Sequence, residues 1–118
     1  MTPQVWTACR SSLLPALRAE DGDEAALRAE ILSGGAQLWA GEGGALVTQC
    51  VEGPEGRSLH VWLAGGRLAT ILSLRPGVEA WARGHGCRAI TIEGRRGWAR
   101  VLRPDGYRRH GEILRRSL

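Results

Sequence analysis

His60 lies in the middle of "SLHVWLA" (58–64), a short apolar-rich stretch, and its imidazole can exchange protons near neutral pH. Glu42, Glu52 and Glu93 fall at turns or strand ends, where a carboxylate can meet an amine. Directly after His60's stretch comes Gly65-Gly66-Arg67-Leu68, at the junction between a strand-like and a helix-like pattern. Amides converging at a helix start can neutralise an anion without a lysine, and Arg67 is placed to assist. A plain strand-to-helix turn uses the same residues.

Other groups with chemical potential are more scattered. Cys9, Cys50 and Cys87 are odd in number and contain no CxxC, so the expectation is buried free thiols in a reducing intracellular setting. With His60, His85 and His110 they form no local ligand pair of the usual kind, and no metal site is assigned. Cys50 sits in a strand pattern with no base marked beside it, which disfavours a covalent thiol mechanism. Arg95, Arg96, Trp98 and Arg100 have the types that contact phosphate and stack on bases. Yet Trp98 and Leu102, four apart, share a helical face, leaving arginines around the exposed side as in any amphipathic helix. Core packing is the reading for most tryptophans, and nucleic acid ranks below the alternatives that follow.

The elements that must position these groups follow from periodicity. Residues 1–35 read as a helical part: Trp6, Cys9, Leu13 and Leu17 form a broken apolar stripe, with Pro15 expected to divide two helical pieces. After the turn Asp21-Gly22-Asp23, Asp23 is placed to cap a helix through Ile31 and Leu32, which Gly34-Gly35 stops. Three candidate strands come next, "AQLWA" (36–40), "ALVTQCV" (45–51) and "SLHVWLA" (58–64), joined by glycine-containing connections suited to antiparallel hairpins. Leu59, Val61 and Leu63 alternate with His60, Trp62 and Ala64, so apolar groups on both faces put this strand near the middle of the sheet.

A helical stripe of Leu68, Ile71, Leu72, Val78, Trp81 and Ala82 runs to residue 85, with Pro76-Gly77 expected to kink or split it. "CRAITIE" (87–93) is the next strand, then a short helix around Arg96 to Arg103, a turn at 104–106, and Tyr107 to Leu118 returning as one long strand or a bent pair. The order αα-βββ-α-β-α-β implies an α/β (α+β) domain: one mixed sheet with helices on both faces, spanning 1–118 as a single domain.

Size and charge bound the rest. The 118 residues suffice for one modest core, and 43% hydrophobic with 24% charged residues suits a folded chain and excludes a disordered one. No apolar run is long enough to span a membrane, and "MTPQVWTACR" does not resemble a secretory signal. All basic residues are arginines, and the formal net charge is +4. Their spread along the chain weakens the reading of an anion-facing patch.

The pattern "AQLW", "VWLAGG", "EAWARGHGC", then "GRRGWARVL" with Gly106-Tyr107, resembles the GNAT acetyltransferase fold, in particular small GNAT-like proteins encoded by tailed bacteriophages and prophages. The resemblance covers most of the chain from about Ile31. It implies acetyl-coenzyme A (acetyl-CoA) lying against a splayed pair of central strands, its pyrophosphate on amides where strand passes into helix. The residues this places at the coenzyme are Val61, Leu63, Gly65, Gly66, Arg67 and Leu68. Amine acetylation also needs a base, oxyanion stabilisation and an acid for the departing thiolate. His60 and Glu93 are the candidates for proton handling.

Many relatives carry a tyrosine four residues before the final Gly-aromatic pair. Leu102 stands there, and Tyr107, the aromatic of that pair, is read as a packing residue. The resemblance thus implies an acetyltransferase-like protein of the host cytoplasm with a small-molecule or protein amine as acceptor. Its alternative is a non-catalytic virion or assembly accessory protein, with phage structural proteins as partners.

Overall fold

The computed structural model describes residues 3–93, 102–110 and 113–118. Helix α1 (Pro3–Ala19) and helix α2 (Glu24–Ser33) precede strands β1 (Gln37–Gly41), β2 (Gly44–Gly53) and β3 (Gly56–Gly66). Helix α3 (Leu68–Gly84), strand β4 (Ala89–Glu93), a 3-10 turn (Arg103–Asp105), and strands β5 (Arg108–His110) and β6 (Ile113–Ser117) complete the order. The strands form one six-stranded sheet in the order β1-β2-β3-β4-β6-β5. Only β3 and β4 run parallel, because α3 crosses between them; the other pairs are antiparallel. The domain is therefore of the mixed α+β class.

Local chemistry accounts for the helix ends. Asp23 accepts a hydrogen bond from the Ala25 amide at 3.1 Å, capping α2, and Gly34 closes it with φ +86°, a conformation that costs a residue with a Cβ. Pro15 does not divide α1 and Pro76 does not split α3; each lies inside a continuous helix and loses one internal backbone bond that burial of the helix outweighs. Burying Leu13 and Leu17 is worth roughly 1.5–3 kcal/mol each, enough to offset one missing bond. The return of the chain after Tyr107 is a pair of strands, β5 and β6, rather than one long strand. The short helix expected around Arg96 to Arg103 falls mostly outside the described residues, as do Arg95, Arg96, Trp98 and Arg100.

Helices cover both faces of the sheet. On one face, Trp6, Cys9, Leu13 and Leu17 of α1 and Leu27 of α2 pack on Ala45, Val47 and Leu63. On the other, Ile71, Val78 and Ala82 of α3 pack on Leu46, Leu59, Val61, Ile90, Leu102, Tyr107 and Leu114. Simple alternation would send Leu63 to the same face as Leu59 and Val61. It does not. The β2–β3 register shifts so that Val47 opposes Leu63 while Thr48 opposes Val61, leaving Trp62 as the extra residue of a β-bulge. Trp62 and Leu63 consequently both pack toward α1, and Ala64 turns back toward α3.

Candidate functional site

The centre of the sheet holds the feature that gives the candidate residues their setting. β3 and β4 pair from Ser58↔Ala89 to Val61↔Ile92. β3 continues to Gly66, and from Trp62 onward it has no partner on its β4 side among the described residues. The last of these pairs, Val61↔Ile92, lies one residue before the bulge. An unpaired strand edge presents amides and carbonyls that seek partners.

That edge leads into α3. Arg67 is the N-cap residue and makes no side-chain cap bond, while the amides of the first turn, Leu68 to Thr70, have no carbonyl within the helix to bond. Those amides and the helix dipole favour an anion there. The junction is pinned to the β1–β2 turn: Arg67 donates its amide to the Gly43 carbonyl at 2.8 Å, and Thr70 its hydroxyl to the Glu42 carbonyl at 2.6 Å. Glu42 thereby serves the junction through its backbone.

The two glycines have packing reasons of their own. A Cβ on Gly65 would lie 1.8 Å from the Ser12 carbonyl oxygen of α1, and one on Gly66, where φ is +91°, would lie 2.2 Å from the Gly43 carbonyl oxygen. Both residues let backbones approach closely, whether or not a ligand follows. Leu63 is buried in the α1-side cluster, away from Val61, and Leu68 is an exposed apolar residue at the helix start.

His60 lies at the last stretch of pairing. Its Nδ1 is 2.8 Å from the Thr91 hydroxyl oxygen on β4, the residue opposite it in register. Burial holds its pKa below the ordinary histidine value, partly opposed by the Glu93 carboxylate. Burial thus favours the neutral imidazole, which can accept a proton. Glu93 ends β4, exposed, near enough for its charge to reach His60. Glu52, in contrast, ion-pairs with Arg57 at the far end of the β2–β3 hairpin.

Between α3 and strands β2 to β4 runs an apolar seam lined by Leu46, Val61, Ile71, Leu72, Ile92 and Leu102, among others. Its volume is about 20 Å³, room for about one water. Drug-sized ligand sites are of the order of 300–1,000 Å³. A pantetheine arm does not fit the seam as it stands.

Tyr107 is committed elsewhere. Its buried hydroxyl donates to Glu79 Oε2 at 2.9 Å, and Glu79, only 3% exposed, also accepts from Arg75 at 2.7 Å and from Arg116. Burial and the Glu79 charge push the phenol pKa well above its ordinary value. The sequence points to Tyr107 as a packing residue, but not to Glu79, whose three partners come from three separate segments. Its one local signal was the Arg75–Glu79 spacing on α3.

Of the thiols, Cys9 and Cys87 are buried as expected; Cys50 is exposed, since β2 runs past the cover of α3 there. Among the described residues no group of three or more His, Cys, Asp or Glu side chains is arranged to hold a metal ion, and no helix is long and apolar enough to cross a membrane.

The fold and site define a class: an α+β domain whose single parallel strand pair, β3 and β4, is joined by a crossover helix that starts without a side-chain cap. No protein-family model, curated protein or solved structure matches the chain.

Proposed function

We propose that this chain is an acetyltransferase-like protein that binds acetyl-CoA where β3 and β4 part. One observation carries the reading: among the described residues, pairing between the two parallel strands ends at Val61↔Ile92, while β3 runs on to Gly66 and into the first turn of α3. In this reading the amides of Leu68 to Thr70 and the Arg67 guanidinium meet the phosphates, and the edge from Trp62 to Gly66 offers hydrogen bonds to the amide-containing arm. Acetyl-CoA supplies the activated acyl group. His60, held neutral, accepts the proton of an acceptor amine, with Glu93 near it to favour the imidazolium that results. No side chain among the described residues stands ready as the thiolate's acid, because Tyr107 is held by Glu79. Coenzyme binding is accordingly the primary claim and turnover the secondary one.

Titration calorimetry with acetyl-CoA tests the claim. The expected result is saturable heat that weakens at least several-fold in Arg67→Ala; folded protein giving no heat at millimolar ligand would remove the proposal. A second reading, a non-catalytic accessory protein of a phage or prophage particle built on this scaffold, is favoured by the apolar filling of the seam. It requires the chain to co-purify with particles, and a free monomer absent from them counts against it.

A further inference from the structure

Arg75, Glu79 and Arg83 recur every four residues along α3 and so share one face of the helix. That face forms a wall of an open cleft of about 520 Å³, a size within the range of small-molecule sites. Asp105 of the 3-10 turn and Arg116 of β6 also line it, and Pro76 and Pro104 add apolar surface. Its buried acid is fully engaged. Glu79 is 3% exposed, and its Oε2 accepts from Arg75 at 2.7 Å and from the Tyr107 hydroxyl, its Oε1 from Arg116. Two guanidinium groups are thereby fixed before any ligand arrives, each keeping N–H donors beyond the one given to Glu79. Arg75 also meets Asp105 at 3.4 Å, a longer ion pair on a partly exposed carboxylate. Arg83 is exposed, and among the described residues its side chain has no acid partner. Three cations against two carboxylates leave the cleft one positive charge in excess.

We propose that this cleft binds a small organic carboxylate. The carboxylate meets Arg83 and the spare N–H groups of Arg116, whose planar forks match two oxygens side by side, while an apolar body lies against Pro76 and Pro104. One negative charge neutralises the cleft. A phosphate monoester, with a charge of about −1.5 to −2 at pH 7, overshoots it and is repelled by Glu79 and Asp105. Because Glu79 already holds Arg75 and Arg116, binding has chiefly the Arg83 side chain to order, which keeps the entropic cost low. The cleft shares no lining residue with the coenzyme reading at the first turn of α3, so the two fail separately.

The test follows the arginine Nε–H signals of the isotope-labelled full chain by nuclear magnetic resonance as sodium benzoate, inorganic phosphate or sodium chloride is added at constant pH and ionic strength. Saturable shifts at Arg83 and Arg116 are expected with millimolar benzoate. Arg83→Ala, a change at an exposed position that leaves the Glu79 contacts in place, should weaken benzoate binding about tenfold, read at Arg116, with little change in melting temperature. Asp105→Asn removes a competing negative charge and should tighten binding several-fold. Unsaturable shifts shared by Arg10 and Arg57, tighter binding of phosphate than of benzoate, undiminished affinity in Arg83→Ala, weaker binding in Asp105→Asn, or no shift at all would each overturn the proposal.

Discussion

Glu79 shows how one side chain can carry much of the tertiary order. Its carboxylate is removed from water yet accepts bonds from Arg75, Arg116 and Tyr107, joining α3 to β6 and to the segment after the 3-10 turn. Removing one neutral donor leaves both cations in place, so Tyr107→Phe is expected to lose about 1–2 kcal/mol. Glu79→Gln strips the charge that two partly buried guanidinium groups face, and should lose about 3 kcal/mol or more in urea unfolding. The phenol also makes stability depend on pH. Its folded pKa is raised above the ordinary 10.0, so the neutral form is favoured by folding and its contribution is complete below that pH. It is lost as pH climbs beyond. Cys87, raised from 9.0 to about 11, acts in the same direction over a lower range. Stability should therefore fall as pH rises above about 9, and Tyr107→Phe should flatten the upper part of that fall; an unchanged slope would mean that the phenol titrates as if exposed.

At the scale of elements, glycines with different surroundings separate close packing from mere flexibility. Gly65 sits where α1 crosses β3, and a Cβ there meets a backbone oxygen that cannot swing aside. Gly65→Ala should therefore cost at least about 2 kcal/mol, because α1 has to lift from the sheet. Gly77, inside α3, has nothing within 4 Å of the position a Cβ would take. Gly77→Ala should stabilise the helix by about 0.5–1 kcal/mol. Paired chemical denaturation curves of the two variants check both signs. The bulge at Trp62 is the other element-scale device: it moves Leu63 to the α1 core and lies one residue past the last β3–β4 pair among the described residues.

For the whole molecule, the sheet is the middle layer and neither face is optional. α1 supplies four of the buried residues that cover Ala45, Val47 and Leu63. Without α1 these positions, and Trp62 beside them, would meet water. A chain truncated before Asp21 should bind a hydrophobic dye, lose its near-ultraviolet tryptophan signal and aggregate, while keeping much of its far-ultraviolet signal. A truncated monomer with intact near-ultraviolet spectra would show instead that the α3-side core holds the fold alone. The +4 net charge works at this scale too, favouring solubility and anionic partners without selecting one.

How much of this was legible beforehand depends on the range of each interaction. The stripe of Trp6, Cys9, Leu13 and Leu17, the Asp23 cap, the Gly34 stop and the two-faced apolar character of β3 are written in residues a few positions apart. So the class of fold, and His60 and the Gly65–Leu68 corner as its chemically suggestive points, follow from the sequence alone. Proline misled at position 15, and α3 is not split at Pro76, because local propensity says nothing of the burial that overrides it. Only the assembled sheet decided that Leu63 turns to α1, that β3 pairs in parallel with β4 from Ser58↔Ala89 to Val61↔Ile92, and that Glu79 gathers its three donors. Those outcomes depend on register and on contacts between distant segments, and one-dimensional periodicity carries no information about which distant backbone will arrive beside a given residue.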